Sequence, residues 1–200
     1  MKKDIISSYI GNVIESCRSI NYDQIINIYD VLITAVSRGG KIYICGNGGS
    51  ASTASHFQTD LNNAFSITLK SMPAICLADN LSTITAISND YSYDDVFFHQ
   101  LKYLLNEKDV LVTISGSGNS TNVIKAAEYA QNQGNIVISM VGFDGGKLKE
   151  ISDEIRIKLS PLIDISYLIS ALENISKIEI IAIKNEVKEL LVFINSNIKT

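Results

Sequence analysis

The stretch Lys41-Ile42-Tyr43-Ile44-Cys45-Gly46-Asn47-Gly48-Gly49-Ser50 decides the fold. Ile42 to Cys45 are apolar and β-prone, so the run reads as a short strand, which stops where glycine and asparagine take over. Ala51 to Asn62 follows without a glycine or proline and can wind as a helix. The same alternation extends on both sides. Upstream, Ile6, Ile10, Val13, Ile14 and Cys17, then Ile25, Ile28, Tyr29, Leu32 and Val36, keep helical spacing over residues 4–37, with a break near Ser19–Tyr22 and an end at Gly39-Gly40. Downstream, Ala74 to Ala78 is strand-like and leads to Asn89-Asp90, and residues 92–105 are helix-like. Asp109 to Ile114 is a buried strand running into Ser115-Gly116-Ser117-Gly118-Asn119-Ser120, and a helix follows from about Thr121 to Gln133. Asn135 to Met140 is the next strand, Asp144-Gly145-Gly146 a turn, Glu154 to Leu159 a last strand, and 163–196 a long helical tract. Nearly all-apolar strands alternating with helices imply an α/β fold: a parallel sheet covered by helices on both faces.

Composition narrows the function. The chain has 200 residues, 46% of them hydrophobic and only 19% charged, which excludes disorder and fits one domain. A formal net charge of −4 argues against a nucleic-acid partner or an anionic membrane surface, both of which attract basic faces. Cys17, Cys45 and Cys76 are an odd, scattered set, as expected of reduced thiols in a cytoplasmic protein. The N-terminus does not read as a secretory signal, and charged residues interrupt every apolar run before it could span a bilayer. The 163–196 tract carries apolar residues round more than one stripe, from Ile165, Leu168 and Ile169 to Leu190, Leu191 and Ile194. Such a helix needs burial on several sides, and homo-oligomerisation through helices is the simplest way to supply it.

Both glycine-rich loops follow strands, and open α/β sheets bind ligands beyond the carboxyl ends of their strands. Glycines let a ligand approach the backbone, and the helix behind each loop offers unpaired N–H groups and the positive end of its dipole. The second loop adds the hydroxyls of Ser115, Ser117 and Ser120. Backbone N–H groups and hydroxyls together suit a phosphate dianion. No Gly-Lys-Ser/Thr follows either loop, so neither is a P-loop. Gly46-x-Gly48-x-x-Ala51 fits the dinucleotide fingerprint formally, but the acidic residue wanted about 20 positions on is absent from Ser66–Lys70.

Gly46-Asn47-Gly48-Gly49-Ser50-Ala51 and Ile114-Ser115-Gly116-Ser117-Gly118-Asn119-Ser120 together resemble the loops of the SIS (sugar isomerase) domain. More narrowly, the chain resembles the phosphoheptose isomerase group, which converts sedoheptulose 7-phosphate to a heptose 7-phosphate. His56-Phe57, Asn89-Asp90, the run Asn119-Ser120-x-Asn122-Val123-Ile124-Lys125-Ala126 and Gly142-x-Asp144-Gly145-Gly146-Lys147 extend the likeness over residues 5–158. The resemblance implies one SIS domain over 1–200: a helical arm over about 1–38, a flavodoxin-like five-stranded core over about 39–160, and a C-terminal helix over about 162–197. It also implies a homotetramer with active sites at subunit contacts. It makes Asn47, Gly48, Gly49, Ser50, Asp90, Ser115, Gly116, Ser117 and Ser120 the sugar-phosphate ligands.

The family carries a His and, four residues on, a Glu on the helix after the first loop, as proton-transfer groups and zinc ligands. Here the pair is His56 and Asp60, one methylene shorter at the acid. They are the catalytic candidates and the candidate zinc ligands; no other cofactor is implied. An i, i+4 pair shares a helix face, and an aldose–ketose isomerisation needs a base near two neighbouring carbons and a group for the oxygen protons. Asp90 reads either as a ligand residue or as the cap of the helix behind it, and His99 as structural. The family's C-terminal helix brings Gln and one or two His. This chain has only His56 and His99, with Glu173 and Asn174 the polar residues in the corresponding stretch, and it has Gly116 where the family commonly has Thr. Two readings stand: an isomerase, or a protein on the same scaffold that binds phosphosugar or a protein partner, such as a replication initiator, without turnover.

Overall fold

A computed structural model describes residues 2–63, 72–152 and 156–158. Helices α1 (Lys2–Arg18) and α2 (Tyr22–Ser37) precede strand β1 (Ile42–Gly46) and helix α3 (Gly49–Asn63). Then come β2 (Ala74–Cys76), α4 (Leu81–Asp90), a 3₁₀ turn (Tyr93–Asp95), α5 (Val96–Leu104), β3 (Val110–Ser115), α6 (Thr121–Asn132), β4 (Ile136–Val141), α7 (Leu148–Ile151) and β5 (Arg156–Lys158). The expected C-terminal helix over 162–197, with Glu173 and Asn174, lies outside the described residues.

The break expected near Ser19–Tyr22 is real and has a local cause. Asn21 caps α2, its side-chain oxygen accepting the N–H groups of Asp23 at 3.0 Å and Gln24 at 3.3 Å. Two expectations move. The stretch before Asn89-Asp90 is a full helix, α4, capped by Asn80 through Thr83 N–H at 3.0 Å. Asp90 is therefore the last residue of one helix and not the cap of the next, and the segment expected as a helix from residue 92 opens with the 3₁₀ turn.

The five strands are all parallel, in the order β2-β1-β3-β4-β5. Period-two alternation sends Ile42, Ile44, Val110 and Val112 to one face, where Ile28 and Leu32 of α2 and Phe57 and Leu61 of α3 cover them. Tyr43, Cys45 and Leu111 point the other way, under Phe97 and Leu101 of α5 and Val123 and Ala127 of α6. With both faces buried, the strands have no polar side, which is why they read as continuous apolar runs.

Among the described residues, the outer edge of β2 is closed by side chains rather than by another strand. Asn62 of α3 accepts Ala74 N–H at 2.9 Å and donates to Ala74 C=O at 3.1 Å, and Gln58, one turn earlier, accepts Cys76 N–H. Two amides thus satisfy ladder groups that would otherwise invite another chain.

Candidate functional site

β1 and β3 are sequence-distant but adjacent in the sheet, and the strand order reverses between them. This is the topological switch point at which α/β sheets open a crevice beyond the strand ends. Both glycine loops emerge there. Helix α3 begins inside the first loop, at Gly49, and α6 begins at Thr121, directly after the second, so two helix N-termini lie behind the crevice.

The glycines divide into two kinds. At Gly118 an added Cβ would lie 2.0 Å from Gly145 C=O, and at Gly146 2.5 Å from Ser117 C=O. These glycines let the second loop pack on the Gly142–Gly146 turn, where Lys147 N–H donates to Asn119 Oδ1 at 3.0 Å and Leu148 N–H to Gly118 C=O at 3.0 Å. At Gly49 and Gly116 an added Cβ would meet nothing within 4 Å, and neither has a left-handed backbone. Nothing within the described chain demands glycine there, and the space beside each is open.

The serines divide as well. Ser115 is 4% exposed, and its Oγ accepts Gly118 N–H at 3.1 Å, so it shapes the loop from inside. Ser117 is exposed, and its Oγ accepts Asn119 N–H at 3.2 Å, which leaves its own proton to donate. Ser120 occupies the cap position of α6 but makes no side-chain capping bond. Ser50 packs across Gly46 at the first turn of α3.

Asn47 is held by the protein itself. Its Nδ2 donates to Asn122 Oδ1 at 2.8 Å, and Asn122 Nδ2 donates back to Asn47 Oδ1 at 2.9 Å. The Tyr93 hydroxyl donates to the same Asn47 oxygen at 2.8 Å. Sequence reasoning assigned neither Asn122 nor Tyr93 to the site, although Asn122 lies in the run that extends the family likeness. Asp90 is exposed and accepts from its neighbour Asn89 at 2.9 Å.

His56 and Asp60 do share a face of α3, with Nδ1 3.8 Å from Oδ2; the Asp60 side chain is 24% exposed and that of His56 61%. They supply two donors, and among the described residues no three His, Cys, Asp or Glu side chains converge as metal ligands. Residues 159–200 contain no His or Cys. Among the described residues, His56 and Asp60 are thus two donors of the three or four that a zinc centre takes. His99 stacks on Tyr91 at a centroid distance of 4.0 Å, as a structural residue would. A cleft of about 540 Å³ lined by Asp30, Arg38, Lys108 and Ile136 lies at the amino ends of β3 and β4, opposite the glycine loops, and is not part of this site.

Residues 7–142 match the SIS domain family model. The phosphoheptose isomerase of Helicobacter pylori (strain P12) is 49% identical over 123 residues, 62% of this chain and 64% of that protein. The chain belongs to the SIS domain family. The Helicobacter relative is named a phosphoheptose isomerase. A probable phosphoheptose isomerase of Thermoplasma acidophilum is 46% identical over 68% of this chain and 75% of its own length. The structure of a phosphoheptose isomerase from Francisella tularensis superposes with a TM-score of 0.76 at 30% identity, covering 87% of this chain and 96% of that one. The match spans less than two thirds of the Helicobacter protein's length.

Proposed function

We propose that this chain is a cytoplasmic phosphosugar isomerase, assembled as a homotetramer, that interconverts sedoheptulose 7-phosphate and a heptose 7-phosphate. The observation that carries the reading is the pairing of two loops at the switch point, each with a glycine that the described chain does not need and each followed by a helix N-terminus. A phosphate dianion there would accept from the backbone N–H groups of Gly48 and Gly49 and from the hydroxyls of Ser50, Ser117 and Ser120, with Gly116 leaving room for its approach. Ser115 would hold the loop's shape, and Asp90 would accept from sugar hydroxyls. The names of the relatives supply the sugar.

With the phosphate held, Asp60 acts as base. It takes a proton from C1 of the ketose, the C2 carbonyl becomes an enediol oxygen, and a proton returned to C2 with loss of the O1 proton yields the aldose. His56, on the same face, handles the oxygen protons. Asp60 reaches one methylene less far than the family's Glu, and a misplacement of about 1 Å can slow such chemistry about 100-fold. This chain is therefore expected to turn over slowly.

The absence of histidine from residues 159–200 favours a second reading, a phosphosugar-binding or protein-binding member of the family without turnover. Incubation with sedoheptulose 7-phosphate in D₂O, followed by NMR, separates the two. The isomerase exchanges deuterium into the sugar and forms aldose, and Asp60→Asn abolishes both while keeping sugar-phosphate binding. Binding without exchange leaves the second reading, and full activity in Asp60→Asn removes Asp60 from its role.

A further inference from the structure

The β1–β3 ladder ends at Gly46 and Ile114, and beyond it a polar chain links the two loops. Tyr93 of the 3₁₀ turn donates to Asn47 Oδ1 at 2.8 Å, and Asn47 and Asn122 exchange two amide hydrogen bonds at 2.8 and 2.9 Å. Asn122 is only 2% exposed, and its Oδ1 also accepts Val123 N–H at 2.9 Å, so it is rigidly seated at the start of α6. The 3₁₀ turn is fastened a second time to the same helix, by Lys125 Nζ to Asp95 Oδ1 at 3.0 Å, and Ser92 Oγ donates to the other Asp95 oxygen at 2.5 Å.

We propose that Tyr93–Asn47–Asn122 is a positioning strap that sets the first loop against the second and so fixes the spacing of the phosphate donors. The inference rests on the reading of these loops as a phosphate site. Asn47 is suited to the task because its oxygen has two lone pairs and both are taken, one by Tyr93 and one by Asn122. Its amide plane then has one orientation, and the backbone that carries Gly48 and Gly49 follows it. Asn122 belongs to the helix behind the second loop, so movement of either loop must break the reciprocal pair. Tyr93 adds the segment just after Asp90 to the same frame. Tyr93 and Asn122 act through Asn47 and through the N–H groups and hydroxyls that they align.

The test uses the full-length protein and two variants, Tyr93→Phe and Asn122→Leu. Tyr93 is 53% exposed, so loss of its hydroxyl leaves the core intact even if Asn122→Leu fails to fold. In the ligand-free protein, Tyr93→Phe should shift the amide NMR signals of Gly48, Gly49, Gly116 and Ser117 together and speed exchange of the Asn47 side-chain amide. Shifts confined to the neighbours of Tyr93 would overturn the strap. In the second arm, affinity for sedoheptulose 7-phosphate and for inorganic phosphate should fall about two- to tenfold in each variant, the range expected for one hydrogen bond. The double variant should lose no more than the larger single loss, because both act through Asn47. Unchanged affinity, or losses that multiply, would count against it. If the unaltered protein binds neither compound, the phosphate-site reading falls, and the ligand-free NMR arm still decides the strap.

Discussion

Gly49 and Gly116 are unusual because the described chain neither strains them nor crowds them. Ordinary selection for stability would favour a side chain at both, since alanine costs less conformational entropy on folding. Gly49→Ala, in the first turn of α3, should leave the urea midpoint unchanged or raise stability by up to about 1 kcal/mol. The methyl group would nonetheless enter the ligand space, and sugar-phosphate affinity should fall at least about tenfold, ~1.4 kcal/mol. Gly116→Ala should behave alike. Gly118→Ala is the contrast: its methyl meets Gly145 C=O at 2.0 Å, and its φ of +68° disfavours any L residue, so it should destabilise the fold as well. Equal stability losses at all three positions, measured by urea unfolding, would mean that the glycines serve packing alone. Phe143 sits beside these loops with φ of +44°, the one left-handed residue other than glycine among those described, and is 80% exposed.

Between elements, the stabilising contacts include many that hydrophobic periodicity does not announce. Asn62 and Gln58 close the β2 edge from α3, so Asn62→Ala removes partners from both the N–H and the C=O of Ala74. The expected loss is about 1–3 kcal/mol by denaturant unfolding, with faster hydrogen exchange confined to β2. The tie between the 3₁₀ turn and α6 is electrostatic. The Ser92 hydroxyl, and then the Lys125 ammonium, hold the Asp95 carboxyl below its ordinary value of 3.8. A carboxyl lowered by folding contributes stability above its unfolded value and loses it as pH falls through the folded one. The stability gap between the unaltered protein and Lys125→Met should therefore be steady above about pH 5, at no more than about 1 kcal/mol for so exposed a pair. It should close below about pH 4. A gap that persists at pH 2 would assign the effect to the Lys125 hydrocarbon stem. The helices themselves were largely legible in the sequence, because Asn21, Gly39 and the three-to-four spacing of Ile25, Ile28 and Leu32 act over one or two turns. Helix α4 was less so: it buries no residue fully, so its face lacks a strong apolar signature.

At the scale of the molecule, Cys45 and Cys76 report on global opening. Both are buried, and burial pushes the Cys76 thiol up to about 12 and that of Cys45 higher still. Only a thiolate attacks disulfide reagents quickly. At pH 8 these two should label only as fast as the sheet unfolds, while the partly exposed Cys17 labels on its own. Sedoheptulose 7-phosphate at 100 times its Kd should slow Cys45 and Cys76 labelling about 100-fold, since it binds the folded state alone. Protection of Cys17 alone would place the ligand away from the β1–β3 crevice.

The alternation of apolar strands with capped helices, and the two glycine–serine loops, were set by residues that act on near neighbours. The α/β class and the rough place of a phosphate site could therefore be read from the chain. Chain order could not say that β1 lies beside β3, because strand adjacency is settled only when helices pack on both faces of the sheet. That adjacency brings Asn47 to Asn122, 75 positions away, and Asn47 to Tyr93, 46 positions away. It also separates serines that look equivalent in the sequence into Ser115, turned inward to build the loop, and Ser117, left at the surface with a proton to give. Side-chain roles of this kind depend on which backbone groups lie within about 3 Å, a distance that only the assembled sheet defines.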